Sequence, residues 1–118
     1  MYGVPADLDL SHFVGATLEL ITLARYQVVF HFEPPASVSA EGRWCLVDCD
    51  GNVVDESGDN GPRETFGAHR CIGQRVIRAQ AVPPDSVSLT FESGHVLRFV
   101  DDSPDYESFH LDPGDIHI

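Results

Sequence analysis

A chain of 118 residues, 42% of them apolar, suits a single domain with enough hydrophobic surface to bury a core. Nineteen Asp and Glu face seven arginines and no lysine, and the resulting net charge of −12 repels nucleic acid and anionic membrane surfaces while attracting a basic partner. No apolar run approaches the roughly 18 residues that cross a bilayer, and the start Met1–Asp7 lacks the basic and apolar stretches of a signal peptide, so a cytoplasmic location is expected.

In chain order, Ala6–Phe13 reads as one or two helical turns closed by Gly15, a residue suited to a helix C-terminus. Val28, Phe30 and Phe32 alternate with other residues and form the apolar stripe of a strand. Pro34-Pro35 ends that strand, because proline removes backbone donors. Trp44-Cys45-Leu46-Val47 is a further strand, leading into a turn at Asp50-Gly51-Asn52. A polar loop, Asp55 to Pro62, then joins it to a second half.

That second half repeats the first. Arg63–Cys71 matches the first helical segment, and Ile72-Gly73-Gln74-Arg75-Val76 matches Val14-Gly15-Ala16-Thr17-Leu18. Val87-Ser88-Leu89-Thr90-Phe91-Glu92 matches Val28-Val29-Phe30-His31-Phe32-Glu33, with one extra residue in the intervening turn. Glu92-Ser93-Gly94 reads as a three-residue hairpin loop with Gly94 left-handed, which sets Leu89 opposite Leu97 and Val87 opposite Phe99. A final hairpin places Phe109, Leu111, Ile116 and Ile118 on one face and sets His110 opposite His117, with Pro113-Gly114 at its turn. The expected fold is therefore mainly β, α+β by strict count. Two pseudo-repeated β units with two short helices pack as a roll or split barrel, in one domain over 1–118. The repeats span about 8–54 and 66–118 and the linker about 55–65. The expected core comprises Leu18, Val28, Phe30, Phe32, Trp44, Leu46, Val76, Val87, Leu89, Phe91, Leu97, Phe99, Phe109 and Leu111.

Few residues carry a chemical signature. Cys45, Cys49 and Cys71 are an odd number, and Cys45 and Cys49 would stand about 13 Å apart along a strand, so buried, reduced thiols are expected. Asp48-Cys49-Asp50-Gly51-Asn52 has glycine at the fourth position, where a calcium loop needs it at the sixth, and reads as a hairpin turn. His110 and His117 are the one histidine pair that strand register brings together, but two ligands alone do not make a metal site. Nucleophile elbows, Walker loops, Cys-x-x-Cys and His-Glu-x-x-His are absent. The reading is a non-enzyme with no cofactor. Its most concentrated feature is the acidic segment holding Asp101, Asp102, Asp105, Tyr106 and Glu107, an insertion that the first copy lacks. An aromatic among acids suits contact with a basic protein surface.

The Gly-x-x-hydrophobic opening, the strands ending in Phe-Glu, and above all Tyr106-Glu107-Ser108-Phe109 resemble an uncharacterised family of small bacterial β-rich proteins, over about residues 10–118. Some similar proteins look like immunity proteins, so the resemblance implies a toxin as the basic partner and transfers no catalytic residue. Two other readings remain open. One is a small-ligand or metal-binding domain with a pocket between the repeats, lined by His31, Trp44, Arg98 or His110. The other is a homodimer formed through an open sheet edge.

Overall fold

The computed structural model describes residues 9–24, 27–33, 36–41, 43–56, 67–82, 86–100, 109–112 and 116–117. Its strands are β1 (Leu18–Leu23), β2 (Val28–Phe32), β3 (Ser37–Ala40), β4 (Arg43–Val47), β5 (Val53–Glu56), β6 (Val76–Val82), β7 (Ser86–Phe91), β8 (Val96–Val100), β9 (Phe109–Asp112) and β10 (Ile116–His117). Short 3-10 turns, Ser11–Phe13 and Ala68–Cys71, precede β1 and β6. The strands form two antiparallel sheets, ordered β1-β2-β3-β9-β10 and β5-β4-β8-β7-β6. The fold is thus mainly β, with open sheets and no closed barrel.

The two copies exchange strands. β1 to β3 of the first copy are completed by β9 and β10 of the second, and β6 to β8 of the second by β4 and β5 of the first. The repeats are therefore interleaved rather than packed as two separate units. The first crossing runs from Ala40 to Arg43. Three residue steps span about 10 Å when extended, which matches the usual distance between packed sheets.

The copies also meet through reciprocal backbone bonds. Gly15 N–H donates to Val76 O and Gly73 N–H to Leu18 O, each at 2.7 Å; Leu18 N–H donates to Gln74 O at 3.0 Å and Val76 N–H to Ala16 O at 2.9 Å. Thr17 and Arg75 face each other as an antiparallel bridge at the centre of this set. The pattern repeats outward. Glu33 N–H donates to Thr17 O and Glu92 N–H to Arg75 O, both at 2.9 Å, and each copy carries a bulge, at Leu18/Leu20 and at Val76/Arg78. Gly15 (φ 88°) and Gly73 (φ 91°) close the two 3-10 turns in the left-handed region, where a side chain would be strained although nothing stands within 4 Å of its Cβ.

The expected register holds: Leu89 pairs with Leu97 and Val87 with Phe99, Gly94 is left-handed at φ 93°, and His117 pairs with His110. Of the expected core, Leu18, Phe30, Phe32, Trp44, Leu46, Val76, Val87, Leu89, Phe91, Leu97, Phe99 and Leu111 are buried. Val28 is half-buried against them, and the Phe109 side chain lies outside the described residues, as does the turn at Pro113-Gly114. Leu10, Phe13, Val38 and Cys71 join the core as well.

The linker expectation needs correction. Asp55 and Glu56 belong to β5, and Asp55 is 9% exposed. Its carboxylate accepts from Glu56 N–H at 2.8 Å and from Ala68 N–H at 2.9 Å, tying the end of the first copy to the start of the second. Gly67 is required there, because a Cβ would lie 2.8 Å from Val54 O. The loop residues 57–66 lie outside the described residues.

Aromatic rings fill the space between the sheets. Phe30 meets Trp44 (5.2 Å, 79°) and Phe99 (5.5 Å, 75°) edge to face, so one ring of the first sheet packs on two of the second. Phe32 stacks on Phe91, its counterpart in the other copy, at 6.4 Å and 18°. Edge-to-face pairs add about 0.5–1.5 kcal/mol each beyond the area they bury. Phe30→Ala should cost about 3–5 kcal/mol in urea unfolding; a loss under about 1 kcal/mol would show that this ring does not join the sheets. Because each sheet needs strands from both copies, fragments cut between Gly58 and Asp59 should remain unfolded alone and regain cooperative thermal unfolding when mixed. A cooperatively folded, monomeric first fragment would contradict the exchange.

Candidate functional site

The acidic residues Asp101, Asp102, Asp105, Tyr106 and Glu107 lie outside the described residues, but the segment's two anchors are described. It joins Val100 of β8 to Phe109 of β9, so it forms the second crossing between sheets, the counterpart of Ala40 to Arg43. Val100 pairs with Arg43 and Phe109 with Ala40. The residues that flank the two connections are therefore neighbours, and Glu41, in the first connection, is exposed.

Of the pocket-lining residues named from sequence, the three whose side chains are described, His31, Trp44 and Arg98, do not converge. Trp44 is in the core, 1% exposed. His31 alternates with buried Phe30 and Phe32, so it stands on the outer face of one sheet, where its Nε2 is 2.9 Å from Thr22 Oγ1. Arg98 alternates with buried Leu97 and Phe99 on the outer face of the other sheet, beside Ser88. Aromatic rings occupy the space between. His110 and His117 are register partners whose side chains lie outside the described residues. Among the described residues, no group of three His, Cys, Asp or Glu side chains is placed to hold a metal ion.

The turn after β4 behaves as its sequence implies. Gly51 takes φ 86°, and Asp48 Oδ1 accepts from both Asp50 N–H and Asn52 N–H at 2.9 Å. These bonds, that of Asn52 foremost, hold the Asp48 carboxyl below its ordinary value of 3.8. The turn packs closely against the β7–β8 hairpin, since a Cβ on Gly94 would lie 2.9 Å from Cys49 Cβ.

This contact brings Ser93, His95 and Asp48 into one neighbourhood, a grouping that resembles a hydrolytic triad in residue type alone. Ser93 Oγ lies 2.5 Å from Gln74 Oε1 and 2.8 Å from His95 Nδ1. Gln74 Nε2 donates to Arg70 O at 3.1 Å, which turns Oε1 toward the serine. The single hydroxyl proton of Ser93 therefore goes to Gln74, and His95 must donate from Nδ1. A nucleophilic serine needs the opposite sense, with the histidine as acceptor. The cluster ties the start of β6 to the β7–β8 hairpin and does not activate Ser93.

All three cysteines are free: Cys49 exposed, Cys45 half-buried and Cys71 buried. Burial pushes the Cys71 thiol up to about 11, which leaves it inert.

One surface feature was missed in the sequence. From Gly67 to Val82 the chain carries Arg70, Arg75 and Arg78 and no acid, and all three side chains are exposed. Removing those three positive charges from the net −12 leaves −15 on the rest of the chain. The signal was present as the acid-free stretch between Glu64 and Asp85. Arg75 also contributes to holding the Glu33 carboxyl low, after the larger effect of hydrogen bonding from Thr17.

No family model, curated protein or solved structure matches the chain. None of the described helices is long and apolar enough to cross a membrane.

The Asp48 turn predicts a pH effect. Its folded pKa lies below 3.8, so the carboxylate stabilises the fold above the unfolded pKa, and that contribution is lost as pH falls through the folded value. Asp48→Asn should be less stable than wild type at neutral pH, with the gap closing between about pH 5 and pH 2 in urea titrations. A gap that is constant across that range would show that the charge plays no part.

Proposed function

We propose that this chain is a non-enzymatic, acidic protein-binding module that covers the basic surface of a partner, as an immunity protein covers its toxin. The observation that carries this reading is the excess of acid. Outside the run Arg70 to Arg78 the chain holds a net −15 around an aromatic core. The acid-rich segment, Asp101 to Glu107, lies in sequence between Val100 and Phe109, which pair with Arg43 and Ala40. An acidic surface steers a cationic partner into encounter and penalises acidic competitors. Three free cysteines suit action in the reducing cytoplasm.

The test is a salt series on a partner captured from lysate with the tagged protein and then purified. Its affinity should weaken at least tenfold between about 0.05 M and about 0.5 M salt. Replacing Asp101, Asp102, Asp105 and Glu107 by their amides should slow association far more than it speeds dissociation. Binding that is indifferent to salt would reject the electrostatic mechanism.

A further inference from the structure

Among the described residues β6 is the last strand of its sheet, and its outer edge is only partly paired. The first-copy segment Ala16–Leu18 bonds to Gln74 and Val76; beyond Val76, no described strand pairs with that edge. The uncovered stretch, Ile77 to Val82, exposes Ile77 (56%), Arg78, Gln80 and Val82 (38%). Six residues of extended chain offer about 20 Å of unpaired backbone, the length of an ordinary strand.

The duplication supplies an internal control. β1 has the corresponding place in the other sheet, with the same bulge and, among the described residues, the same open edge. Where β6 and its approach carry Arg70, Arg75 and Arg78, the first copy has His12, Thr17 and Leu20, and β1 itself carries one charge, Glu19. The shared scaffold therefore has no need of arginine at these positions. Protecting an edge against aggregation does not account for them either, since β1 is equally open and has no basic residue. What the arginines add is a local positive potential beside an unpaired strand, on a chain that is otherwise strongly negative.

We propose that the free edge of β6 is a docking site for an acidic, extended segment of a partner protein, which adds to the sheet as a sixth strand beyond β6. Backbone bonds to Ile77–Val82 supply the pairing, as in other cases of strand addition. The exposed Arg75 and Arg78 select carboxylate side chains, and Ile77 and Val82 provide apolar contact between them. A second copy is a poor occupant. Two chains of −12 repel at long range. This inference is separate from the acidic surface and would stand if that reading failed.

The probe is a synthetic peptide of alternating glutamate and valine, about ten residues long. Binding is followed by fluorescence anisotropy and by protection of β6 amides from hydrogen exchange. Three controls are used: the lysine–valine peptide, the glutamate peptide N-methylated at alternate residues, and the protein's mass in solution. The expected result is binding of the glutamate peptide with protection over residues 77–82, and at least a tenfold loss in Arg75→Glu/Arg78→Glu. Binding should survive in Arg75→Lys/Arg78→Lys, and N-methylation should abolish it. If the double reversal fails to fold, Arg78→Gln, expected to weaken binding severalfold, takes its place. Four outcomes overturn the proposal: no binding of the glutamate peptide, equal binding of the lysine peptide, binding unchanged by charge reversal, or a concentration-dependent dimer lost in Arg78→Glu. Acid-to-amide replacements over 101–107 should leave this binding intact, which separates its failure from that of the acidic surface.

Discussion

The structure depends on the exchange of strands between its two halves. Each copy builds three strands of one sheet and then leaves it, after Ala40 in the first copy and after Val100 in the second, to finish the other. Neither three-stranded unit has a complete sheet of its own. Its third strand would be left as an unpaired edge without the other copy's hairpin, and its aromatic face would lie open without the opposing sheet. Phe30 shows the consequence: it belongs to the first sheet, and its ring partners Trp44 and Phe99 belong to the second. Sheet completion and core closure are therefore the same event, and the reciprocal bonds around Thr17 and Arg75 hold the halves in one relative position.

The described interior of the scaffold is given over to packing. The facing sheets are filled with rings, and several described polar side chains are bonded internally. Asp48 caps its own turn, Asp55 clasps the second 3-10 turn, and Ser93 is bonded to Gln74. What differs between the copies is charge. The second crossing carries an acidic insertion, and the second edge strand carries arginines where the first has Thr17 and Leu20. A duplicated core tolerates such divergence because exposed positions on edges and crossings contribute little to packing.

Much of the architecture was legible in the residues. The repeat was visible because both copies carry the same glycine and the same aromatic strand in the same order, at spacings that differ by one residue in the intervening turn. Leu89 opposite Leu97 followed from a three-residue loop with one glycine, since loop length sets register. Asp55 was misread as solvated linker because an acid beside Gly and Ser looks like loop. Its burial depends on Ala68, thirteen residues away, whose backbone donor it satisfies. Val38 was overlooked because it sits in a strand with Ser37, Ser39 and Ala40, too short and too polar to signal a core position. The basic edge was overlooked because three arginines spread over nine residues stand out only against the negative charge of everything around them.

By itself the sequence determined the strand periods, the turns, the duplication and the overall charge, because each is a local property: alternation, a glycine, a proline, a count. Tertiary structure alone decided which strands share a sheet, and with that which residues meet. Nothing in Ser37–Ala40 states that it will pair with Phe109–Asp112, and nothing in Ile77–Val82 states that one of its edges will stay open. Strand order is set by the joint requirement to bury both aromatic faces with short crossings, and that requirement is met only when both halves of the chain are present.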